Sequence, residues 1–455
     1  MMDQKLIDKY NVPVPRYTSY PPANFFTTFT NKQYLEAVEE SNDARNNHIS
    51  FYIHMPFCRR LCHYCGCNSY PMKRPEVVNA YIDCLHQEID RVAAHLRKDR
   101  KISQIHYGGG SPTAIPAAQL KELNDHMLSL FPTIEHPEIA IEAHPGFLTS
   151  ADWQALVDCH FNRFSIGVQD FDEKVLKAVN RQPSQLPMEE IFKILRKAGA
   201  TINMDFLFGL PYQTPDSFQR AIEKASDLHP DRLVTFSYGH VPWVFKRQQI
   251  LEKLGLPNAE DKNEMFQRAA TVMERAGYYQ LGLDHFVLPE DELYIARQQK
   301  ILHRNFQGYC TLRTTGQVYA FGVTGISQLD GAYAQNGKDI EEYIQNIQAG
   351  DLCIRKGYAL SHAQRLVREV IESLMCNYHF SFRAIADHLR VTSQEVKDAC
   401  HLDPNILQDM QDDGIITWDG DTLSMTDERS PFVRNVAASL DPLMVNTDRK
   451  FSKPI

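Results

Sequence analysis

The sequence predicts an α/β protein built around a partial (β/α)6-type TIM barrel. Between residues 49 and 286, short apolar runs rich in branched and aromatic residues alternate with longer amphipathic stretches. This alternation is typical of parallel strands joined by crossover helices, and runs this apolar indicate strands buried on both faces. Six strands are predicted at residues 49–55, 104–107, 138–143, 162–168, 202–208 and 232–238, with helices at residues 78–96, 118–131, 187–198 and 215–228.

Two further regions flank the predicted barrel. Residues 1–48 form an N-terminal extension, and residues 49–357 comprise the barrel with its adjoining strands. In residues 358–455, amphipathic runs precede a hairpin near residues 415–425 with an Asp-Gly-Asp turn. This order indicates a small, mainly helical, winged-helix-like domain. Because residues 409–413 are acidic, we expect a lid over the barrel rather than a DNA-binding domain.

The composition of the 455-residue chain is that of a globular enzyme. It is 43% hydrophobic and 23% charged, enough to bury a large core, and its net charge is -9. The negative charge disfavours nucleic-acid binding, and no run of about 18 apolar residues predicts a membrane span. The chain starts without a basic region followed by an apolar run. We therefore expect a monomer in the cytoplasm, where thiols stay reduced.

Four cysteines stand within ten residues, in the stretch CRRLCHYCGC. Cys58, Cys62 and Cys65 follow the spacing Cys-x3-Cys-x2-Cys, and Cys67 comes shortly after them. Thiolates bind iron-sulfur clusters, zinc or copper(I), and three closely spaced thiols leave one iron of a cubane cluster open. Structural zinc is a less favoured alternative, because the other cysteines are scattered singly and offer no second ligand pair. A disulfide framework is less favoured still, because such frameworks are typical of small secreted domains.

Glycines and polar residues follow each of the other predicted strands. In barrels of this class the carboxyl ends of the strands form the active face, so these residues are expected to converge on one rim. Strand by strand they are residues 108–110, Glu142 with His144, Gln169 with Asp170, Asp205 with the turn at 209–211, and Gly239 with His240.

The segment HMPFCRRLCHYCGC resembles the cluster loop of radical S-adenosylmethionine enzymes. Over most of the chain, five further segments together resemble the oxygen-independent coproporphyrinogen III oxidases. These are PRYTSYP (15–21), YGGGSPT (107–113), GVQDF (167–171), FGLPYQTP (208–215) and HRNFQGY (303–309). Cys67 makes the loop CxxxCxxCxC, which is similar to the dehydrogenases rather than to their shorter haem-chaperone relatives.

The resemblance implies a 4Fe-4S cluster bound by Cys58, Cys62 and Cys65, with S-adenosylmethionine at the open iron. It implies oxidative decarboxylation of two propionate side chains of coproporphyrinogen III, giving protoporphyrinogen IX in anaerobic haem biosynthesis. An adenosyl radical would take a hydrogen from the propionate, and loss of one electron and carbon dioxide would leave a vinyl group. The implied electron donor is a low-potential reductant such as flavodoxin or ferredoxin.

The same resemblance implies roles for individual residues. Cys67 and Tyr52 match catalytic positions, and Glu142 matches a ribose-binding glutamate, since a carboxylate accepts from both hydroxyls. Two S-adenosylmethionine molecules per active site suit two successive decarboxylations. The residues implied for binding them are Tyr52, Gly109, Gly110, Ser111, Glu142, Gln169, Arg181, Asp205, Leu207, Gly239, Phe306, Gln307 and Ile326.

The implied substrate carries several carboxylates, which need cationic anchors. Guanidinium groups bind carboxylates bidentately, so Arg16, Arg304 and Arg313 are the candidates. The PRYTSYP segment is expected to cross the barrel mouth and contribute Arg16 and Tyr17 there.

Two segments depart from the family pattern. The third strand ends in EAHP where the family often has EVDP, and the loop after HRNFQGY reads CTLRTTGQVYAFG instead of a shorter acidic version. His144 thus introduces a group that ordinarily titrates near physiological pH. Two alternatives stay open: a haem-binding chaperone with a structural cluster, and a tetrapyrrole-degrading or methyl-transferring radical enzyme.

The three-ligand assignment predicts how serine substitutions change the cluster. Replacing Cys58, Cys62 or Cys65 by serine should abolish the cluster absorbance, because each supplies one thiolate. Cys67→Ser should leave the absorbance largely intact and serves as the matched control on the same loop. Iron content and visible absorbance after anaerobic reconstitution measure both, and loss of iron from Cys67→Ser alone would contradict the assignment.

Overall fold

The chain begins with three short elements that lie outside the barrel. The computed structural model describes residues 4–43, 46–311, 317–445 and 447–451. The first elements are α1 (Gln4–Tyr10), β1 (Thr27–Thr28) and α2 (Asn31–Glu40). Helix α2 begins at a capping box, in which Thr30 and Gln33 satisfy each other's backbone N-H groups. Strand β1 pairs with a strand late in the chain and so ties the extension to the sheet.

The six predicted strands and the four predicted helices are all present. They alternate as β/α units, and most cross-over helices begin after a proline or a capping residue. The elements are β2 (His48–Met55), β3 (Phe57–Cys58), β4 (Tyr70–Pro71), α3 (Pro75–Ala93), β5 (Lys101–Gly109), α4 (Ala117–Leu130), β6 (Thr133–Ala143), α5 (Ser150–Val157), β7 (Arg163–Gln169), α6 (Glu173–Ala178), α7 (Met188–Lys197), β8 (Thr201–Phe208), α8 (Pro215–Ser226) and β9 (Arg232–Ser237).

The chain after the barrel returns to the same sheet and extends it on both sides. Its elements are α9 (Gln249–Leu254), α10 (Ala259–Arg275), β10 (Tyr279–Leu281), β11 (His285–Val287), α11 (Glu292–Gln298), β12 (Leu302–Asn305), β13 (Gly308–Thr311), β14 (Gln317–Phe321), β15 (Ile326–Gln328), β16 (Ala332–Asn336), α12 (Ile340–Gln348) and β17 (Ile354–Ala359).

The central sheet is an open one in the described part of the chain. The order of its strands is β1-β17-β16-β15-β14-β2-β5-β6-β7-β8-β9-β11-β10. Strands β14, β2, β5, β6, β7, β8 and β9 are parallel to one another. Strand β14 pairs with β2 in register, Gln317 opposite Ile49 and Phe321 opposite Ile53. The prediction of a partial barrel is confirmed, and β14 is a further parallel strand that the sequence analysis did not name.

The alternation of side chains along the strands separates the core from the active face. Phe51, Ile53 and Tyr107 point to the helices and are buried in the largest apolar cluster, where Phe51 contacts Phe131. The intervening positions of the same strands are Tyr52, His54 and His106 on the other face of the sheet. The polar residues therefore lie inside the partial barrel because they alternate with the core residues.

The last part of the chain folds as helices followed by the predicted hairpin. Its strands form a three-stranded sheet in the order β18-β20-β19. The elements are α13 (His362–Asn377), β18 (His379–Ser381), α14 (Phe382–Leu389), α15 (Ser393–Ala399), α16 (Pro404–Asp412), β19 (Thr417–Trp418), β20 (Thr422–Ser424) and α17 (Val433–Leu440). Short 3-10 helices occur at Ala23–Phe25, Ser41–Asp43, Pro112–Ala114, Pro145–Phe147, Lys246–Gln248, Asp427–Phe432 and Pro442–Met444.

The N-terminal strap, residues 15–21, packs on this C-terminal region. Leu6, Tyr10, Tyr17 and Tyr20 share one apolar core with α13 and α17. The hydroxyls of Tyr17 and Tyr20 donate to the two oxygens of the buried Asp441, at 2.9 and 3.1 Å. The two ends of the chain therefore form one structural unit. None of the helices in the described ranges has the length and apolar character needed to cross a bilayer.

The Asp441 contacts predict that removing its carboxylate lowers the stability of the protein. Asp441→Ala leaves two buried tyrosine hydroxyls without an acceptor, so we expect the free energy of unfolding to fall by about 2–4 kcal/mol. Urea denaturation followed by tryptophan fluorescence measures this. Asp387→Ala, at an exposed site on α14, is the matched control and should change stability by less than about 0.5 kcal/mol. Equal effects of the two substitutions would show that the strap is not held through Asp441.

Candidate active site

The cysteine loop joins β3 to β4 at the carboxyl end of β2. Cys58 and Cys62 are buried, Cys65 is half-buried and Cys67 is exposed. The loop is held mainly by backbone groups: Gly110 N-H donates to Met55 C=O at 2.7 Å, and Ser111 N-H donates to Phe57 C=O at 3.0 Å. The glycine-rich turn after β5 thus fixes where the loop begins.

Two residues that the sequence analysis did not single out hold the other side of the loop. The Arg247 guanidinium donates twice to Cys65 C=O, at 2.7 and 3.1 Å, and Gln248 Nε2 donates to Tyr64 C=O at 2.9 Å. Both lie in the 3-10 helix that follows β9. Their only sequence signal is a position shortly after a barrel strand, which many surface residues share.

The thiols of the loop differ in electrostatic environment. Burial, with a smaller contribution from Cys65, raises the pKa of Cys58 to about 12. A hydrogen bond from the Cys67 side chain is the largest cause that lowers the pKa of Cys65 to about 6, and Cys67 N-H also donates to Cys65 Sγ at 3.4 Å. The same side-chain bond raises the pKa of Cys67 well above its usual value. Cys65 therefore ionises more readily than Cys58 and Cys67.

The donor set fits an iron-sulfur cluster. Three thiols on one loop supply one soft ligand for each of three irons, and the Arg181 guanidinium lies 3.5 Å from Cys62 Sγ, where it stabilises a thiolate. Over the described ranges, no three His, Cys, Asp or Glu side chains are grouped around a single ion. Three thiolates on one loop match the three protein-bound irons of a cubane cluster, whereas a structural zinc site usually has four protein ligands.

Tyr52 and Glu142 are brought together beside the glycine turn. A Cβ at Gly108 would lie 2.6 Å from Glu142 Oε1 and 3.1 Å from Tyr52 Cε2, so glycine is required at this close approach. His106 stacks on Tyr52 with ring centroids 5.9 Å apart, and its Nε2 lies 3.3 Å from Glu142 Oε1.

His54 completes this network on the side of the cysteine loop. Tyr52 Oη lies 3.1 Å from His54 Nδ1, and His54 Nε2 lies 3.0 Å from Asn68 C=O. Burial lowers the pKa of His54, so its ring is neutral near pH 7. A neutral ring has one N-H to donate, and the carbonyl of Asn68 is its acceptor at Nε2. His54 and His106 were not predicted, although their alternation with core residues on β2 and β5 places them on this face.

Gln169 ends β7 and Asp205 lies on β8, whereas Arg181 lies in the segment between α6 and α7. Arg181 donates to Gly167 C=O and to Tyr64 Oη, the latter at 3.2 Å. Asp205 accepts from Ser165 at 2.7 Å and from Asn203 at 2.8 Å. Burial, and then the charge of Glu142, raises the pKa of Asp205 against these hydrogen bonds. The rim therefore crowds two carboxylates into a place that suits hydroxyl or cationic ligands.

His144, whose effect the sequence left open, is enclosed beside a guanidinium. Burial, and then the charge of Arg181, lowers its pKa to about 2, so the ring is neutral near pH 7. Its Nδ1 accepts from Gly146 N-H at 3.1 Å, and its ring borders a cavity of about 220 Å³ together with Cys58, Arg59 and Ser111.

The remaining predicted cofactor residues fall into two groups. Phe306, in the β12–β13 turn, packs with Ile326 and Tyr333, and the Phe306 and Tyr333 ring centroids are 5.9 Å apart. Leu207 packs beside Tyr64 of the cysteine loop, whereas a Cβ on Gly239 would meet open space. Gln307, next to Phe306, donates its backbone N-H to Asn305 Oδ1 at 2.9 Å.

Two of the three candidate substrate arginines lie in the described ranges. Burial alone would raise the pKa of Asp284, but His285 lowers it, and Arg304 and Arg16 lower it further. Arg16 and Arg304 therefore lie near the same carboxylate. Arg313 lies outside the described residues.

Comparisons with known proteins agree with this geometry. The family model of the radical SAM superfamily matches residues 52–225. The oxygen-independent coproporphyrinogen III oxidase of Escherichia coli K12 is 35% identical over 460 residues, covering 100% of this chain and 98% of that protein. The enzyme of the same name from Pseudomonas aeruginosa is 36% identical over 461 residues, covering 100% and 98%. The solved structure of coproporphyrinogen III oxidase from Escherichia coli, described as a radical SAM enzyme, superposes with a TM-score of 0.86 at 32% identity, covering 97% of this chain and 99% of that one.

The glycine turn predicts a specific effect of an added methyl group. Gly109 has φ +115°, and a Cβ there would lie 2.7 Å from the His54 ring. Gly109→Ala should displace His54 and Tyr52 and weaken S-adenosylmethionine binding at least about tenfold, since about 1.4 kcal/mol is lost per tenfold. Equilibrium dialysis of the reconstituted protein measures the affinity.

Gly199→Ala is the matched control, because Gly199 has φ +70° with nothing within 4 Å of a Cβ. It should lower stability by about 1 kcal/mol and leave cofactor affinity unchanged. Wild-type affinity in Gly109→Ala would contradict a role for the close approach.

Proposed function

The chain belongs to the oxygen-independent coproporphyrinogen III oxidases, and on that premise we propose how its own residues carry the reaction. The activity is the radical S-adenosylmethionine oxidative decarboxylation of coproporphyrinogen III in haem biosynthesis. Two propionate side chains become vinyl groups, giving protoporphyrinogen IX. The observation that carries the assignment of residues is the single rim on which the cysteine loop, the glycine turn and Glu142 meet.

Cys58, Cys62 and Cys65 hold the 4Fe-4S cluster in this proposal. When bound, the cluster and S-adenosylmethionine together supply a one-electron cleavage that yields a hydrogen-abstracting radical. The loop's part is to present three thiolates in a fixed order, and Arg247 and Gln248 keep its backbone in place. Arg181 beside Cys62 offsets the negative charge of the thiolates.

The first S-adenosylmethionine lies along the rim. Gly109, Gly110 and Ser111 let the backbone approach its methionine end, and Glu142 accepts from the ribose hydroxyls. His106 keeps Glu142 oriented, and Tyr52 packs over His106. Gln169, Arg181 and Asp205 bind the remaining polar groups. This set is supported by its position at the carboxyl ends of adjacent strands.

A second S-adenosylmethionine is proposed between the two groups of outlying residues. Phe306 and Ile326 offer a joint apolar surface on which an adenine can pack, and Gln307 offers an amide. Leu207 and Gly239 are proposed on the opposite side of this cofactor, where the lack of a side chain at Gly239 leaves open space for it. Two cofactors at one rim match two successive decarboxylations.

Cys67 and Tyr52 are the proposed catalytic residues. Cys67 is exposed at the end of the cysteine loop, and its thiol stays protonated because Cys65 accepts its hydrogen bond. A protonated thiol beside the cluster loop can donate a hydrogen bond to the substrate without being a cluster ligand. Arg16 and Arg304 are the proposed anchors for substrate carboxylates, since both lie near Asp284.

The partners follow from the reaction. Each cleavage of S-adenosylmethionine consumes one electron, so we propose a low-potential reductant such as flavodoxin or ferredoxin. We further propose a monomer in the cytoplasm, where reduced thiols remain available for cluster assembly. The chaperone and the other tetrapyrrole activities are not carried further, because the relatives that match the whole chain are named as oxidases.

An anaerobic assay tests the proposal. Reconstituted protein with reductant, S-adenosylmethionine and coproporphyrinogen III should form protoporphyrinogen IX and two 5'-deoxyadenosine per product, measured by mass spectrometry. Phe306→Ala should keep the cluster absorbance and lose most decarboxylation, because the second cofactor loses its packing surface. Cys62→Ser should lose both. Tight haem binding without cofactor cleavage in the wild type would contradict the oxidase assignment and indicate a chaperone.

A further inference from the structure

A cavity of about 320 Å³ lies where three parts of the fold meet. The N-terminal strap contributes Tyr17 and Tyr20, β12 contributes Arg304, β15 contributes Gln328, and α13 contributes Arg368 and Cys376. This arginine cavity is named for Arg304 and Arg368, the two guanidinium groups in its lining.

The cavity presents polar groups that are buried without a partner. Arg304 Nε and Gln328 Oε1 are both inaccessible and unbonded within the described ranges. The guanidinium of Arg304 lies over the Tyr309 ring at 5.1 Å, which fixes its plane. A 180° rotation of the Gln328 side-chain amide exchanges its oxygen and its nitrogen, so that an N-H donor takes the place of the oxygen. A buried guanidinium with a free donor is costly unless a ligand pairs with it.

The two guanidinium groups of the cavity differ in their partners. Arg368 Nη1 donates to Leu329 C=O at 3.1 Å, and its Nε lies 3.7 Å from Glu369. Glu372 is engaged by His303, whose pKa it raises against the effect of burial. Among the described residues the Arg304 guanidinium forms no ion pair within 4 Å, although it lies near enough to Asp284 to lower the pKa of that carboxyl.

The apolar part of the lining matches the stem of an acidic side chain. Ile371, Met375 and Cys376 form one wall on α13, and the strap tyrosines form another. Burial raises the pKa of Cys376 well above its usual value, so its thiol is neutral. A short methylene chain that ends in a carboxylate complements such a lining, with its charge at Arg304.

The cavity adjoins the proposed cofactor rim. Tyr333 lines it and contacts Phe306 of the β12–β13 turn. Arg304 also acts on Asp284, whose neighbour His285 lowers the pKa of Asp205 against the larger effect of burial. Tyr333 and Arg304 thus border both the cavity and the residues next to the β12–β13 turn.

We propose that the arginine cavity holds a propionate arm of the tetrapyrrole that is retained in the product, with Arg304 and Arg368 as specificity-determining residues. This inference rests on the proposed function. Two of the four propionates of the substrate survive the reaction, and an arm enclosed between guanidinium groups cannot reach the cofactor rim. Anchoring it turns the other arms towards the rim. Because Arg368 lies on α13, the C-terminal region supplies part of the substrate site and is more than a lid.

The test compares Arg304→Gln and Arg368→Gln with the wild type. Both variants should raise KM for coproporphyrinogen III about 10- to 100-fold with kcat changed less, since a charge-assisted hydrogen bond contributes about 1.5–3 kcal/mol. Arg383→Gln, at an exposed site on α14, is the matched control and should keep the wild-type KM. Arg304→Lys keeps the positive charge but lacks the planar guanidinium that binds a carboxylate bidentately. Its KM should lie between that of the wild type and that of Arg304→Gln.

A binding experiment separates failure of this inference from failure of the proposed function. Coproporphyrin III and its tetramethyl ester are titrated into each protein by fluorescence quenching, without S-adenosylmethionine. The wild type should prefer the acid at least about tenfold, and Arg304→Gln should lose that preference. If both glutamine variants keep the wild-type KM and still prefer the acid over the ester, the proposal for the arginine cavity is wrong, whereas the oxidase activity stands. A wild type that prefers the acid but forms no vinyl product would overturn the proposed function and leave the carboxylate site in place.

Discussion

The structure of the active face depends on the contact between the cysteine loop and the glycine turn. Two backbone hydrogen bonds, from Gly110 to Met55 and from Ser111 to Phe57, continue the β2–β5 pairing past the end of the regular strands. A Cβ at Gly110 would lie 2.7 Å from Pro56 C=O and 3.1 Å from Cys58 Sγ. Only glycine allows this approach, so the position of the first thiol is set by a residue on the neighbouring strand.

Parallel strand order converts that local contact into a site. The strands β2, β5, β6, β7 and β8 are adjacent and point the same way, so their carboxyl ends place Tyr52, Glu142 and Asp205 along one edge. The polar residues are also forced together in a partly dry environment. Burial and the charge of Glu142 raise the pKa of Asp205, so a cationic or hydrogen-donating ligand would be favoured beside it.

Much of this architecture could be predicted from the sequence, for a physical reason. Strands β2 and β5 to β9 each carry buried apolar side chains on the face that packs on the helices, and these residues come in short, regularly spaced runs. Strand β14 is equally buried, but it pairs with β2 across more than half of the chain, and nothing local to residues 317–321 indicates that partner. Pairing at such separation is decided by tertiary packing.

The site shows the same division between motif and context. Motifs identified the cysteines and the glycine turn, because their chemistry depends on spacing along the chain. Arg247 and Gln248 were missed because they act on the cysteine loop through its backbone carbonyls, which leaves no sequence pattern. The protonation of His144 could not be predicted, because a free histidine titrates near neutral pH whereas this one is enclosed beside Arg181. Local sequence specifies ligands, and tertiary surroundings specify their charge.

The packing of the N-terminal strap on the C-terminal region bears on how a radical is kept from solvent. Tyr17 and Tyr20 of the N-terminal strap bind Asp441, near the opposite end of the chain, and both tyrosines line the arginine cavity. A radical that abstracts hydrogen must be kept from solvent and from stray C-H bonds. Because the strap and α13 share one apolar core, the cavity wall cannot open on one side without exposing that core on the other. Over the part of the chain that the structure describes, closure beside the barrel is therefore a property of the packed core of the fold.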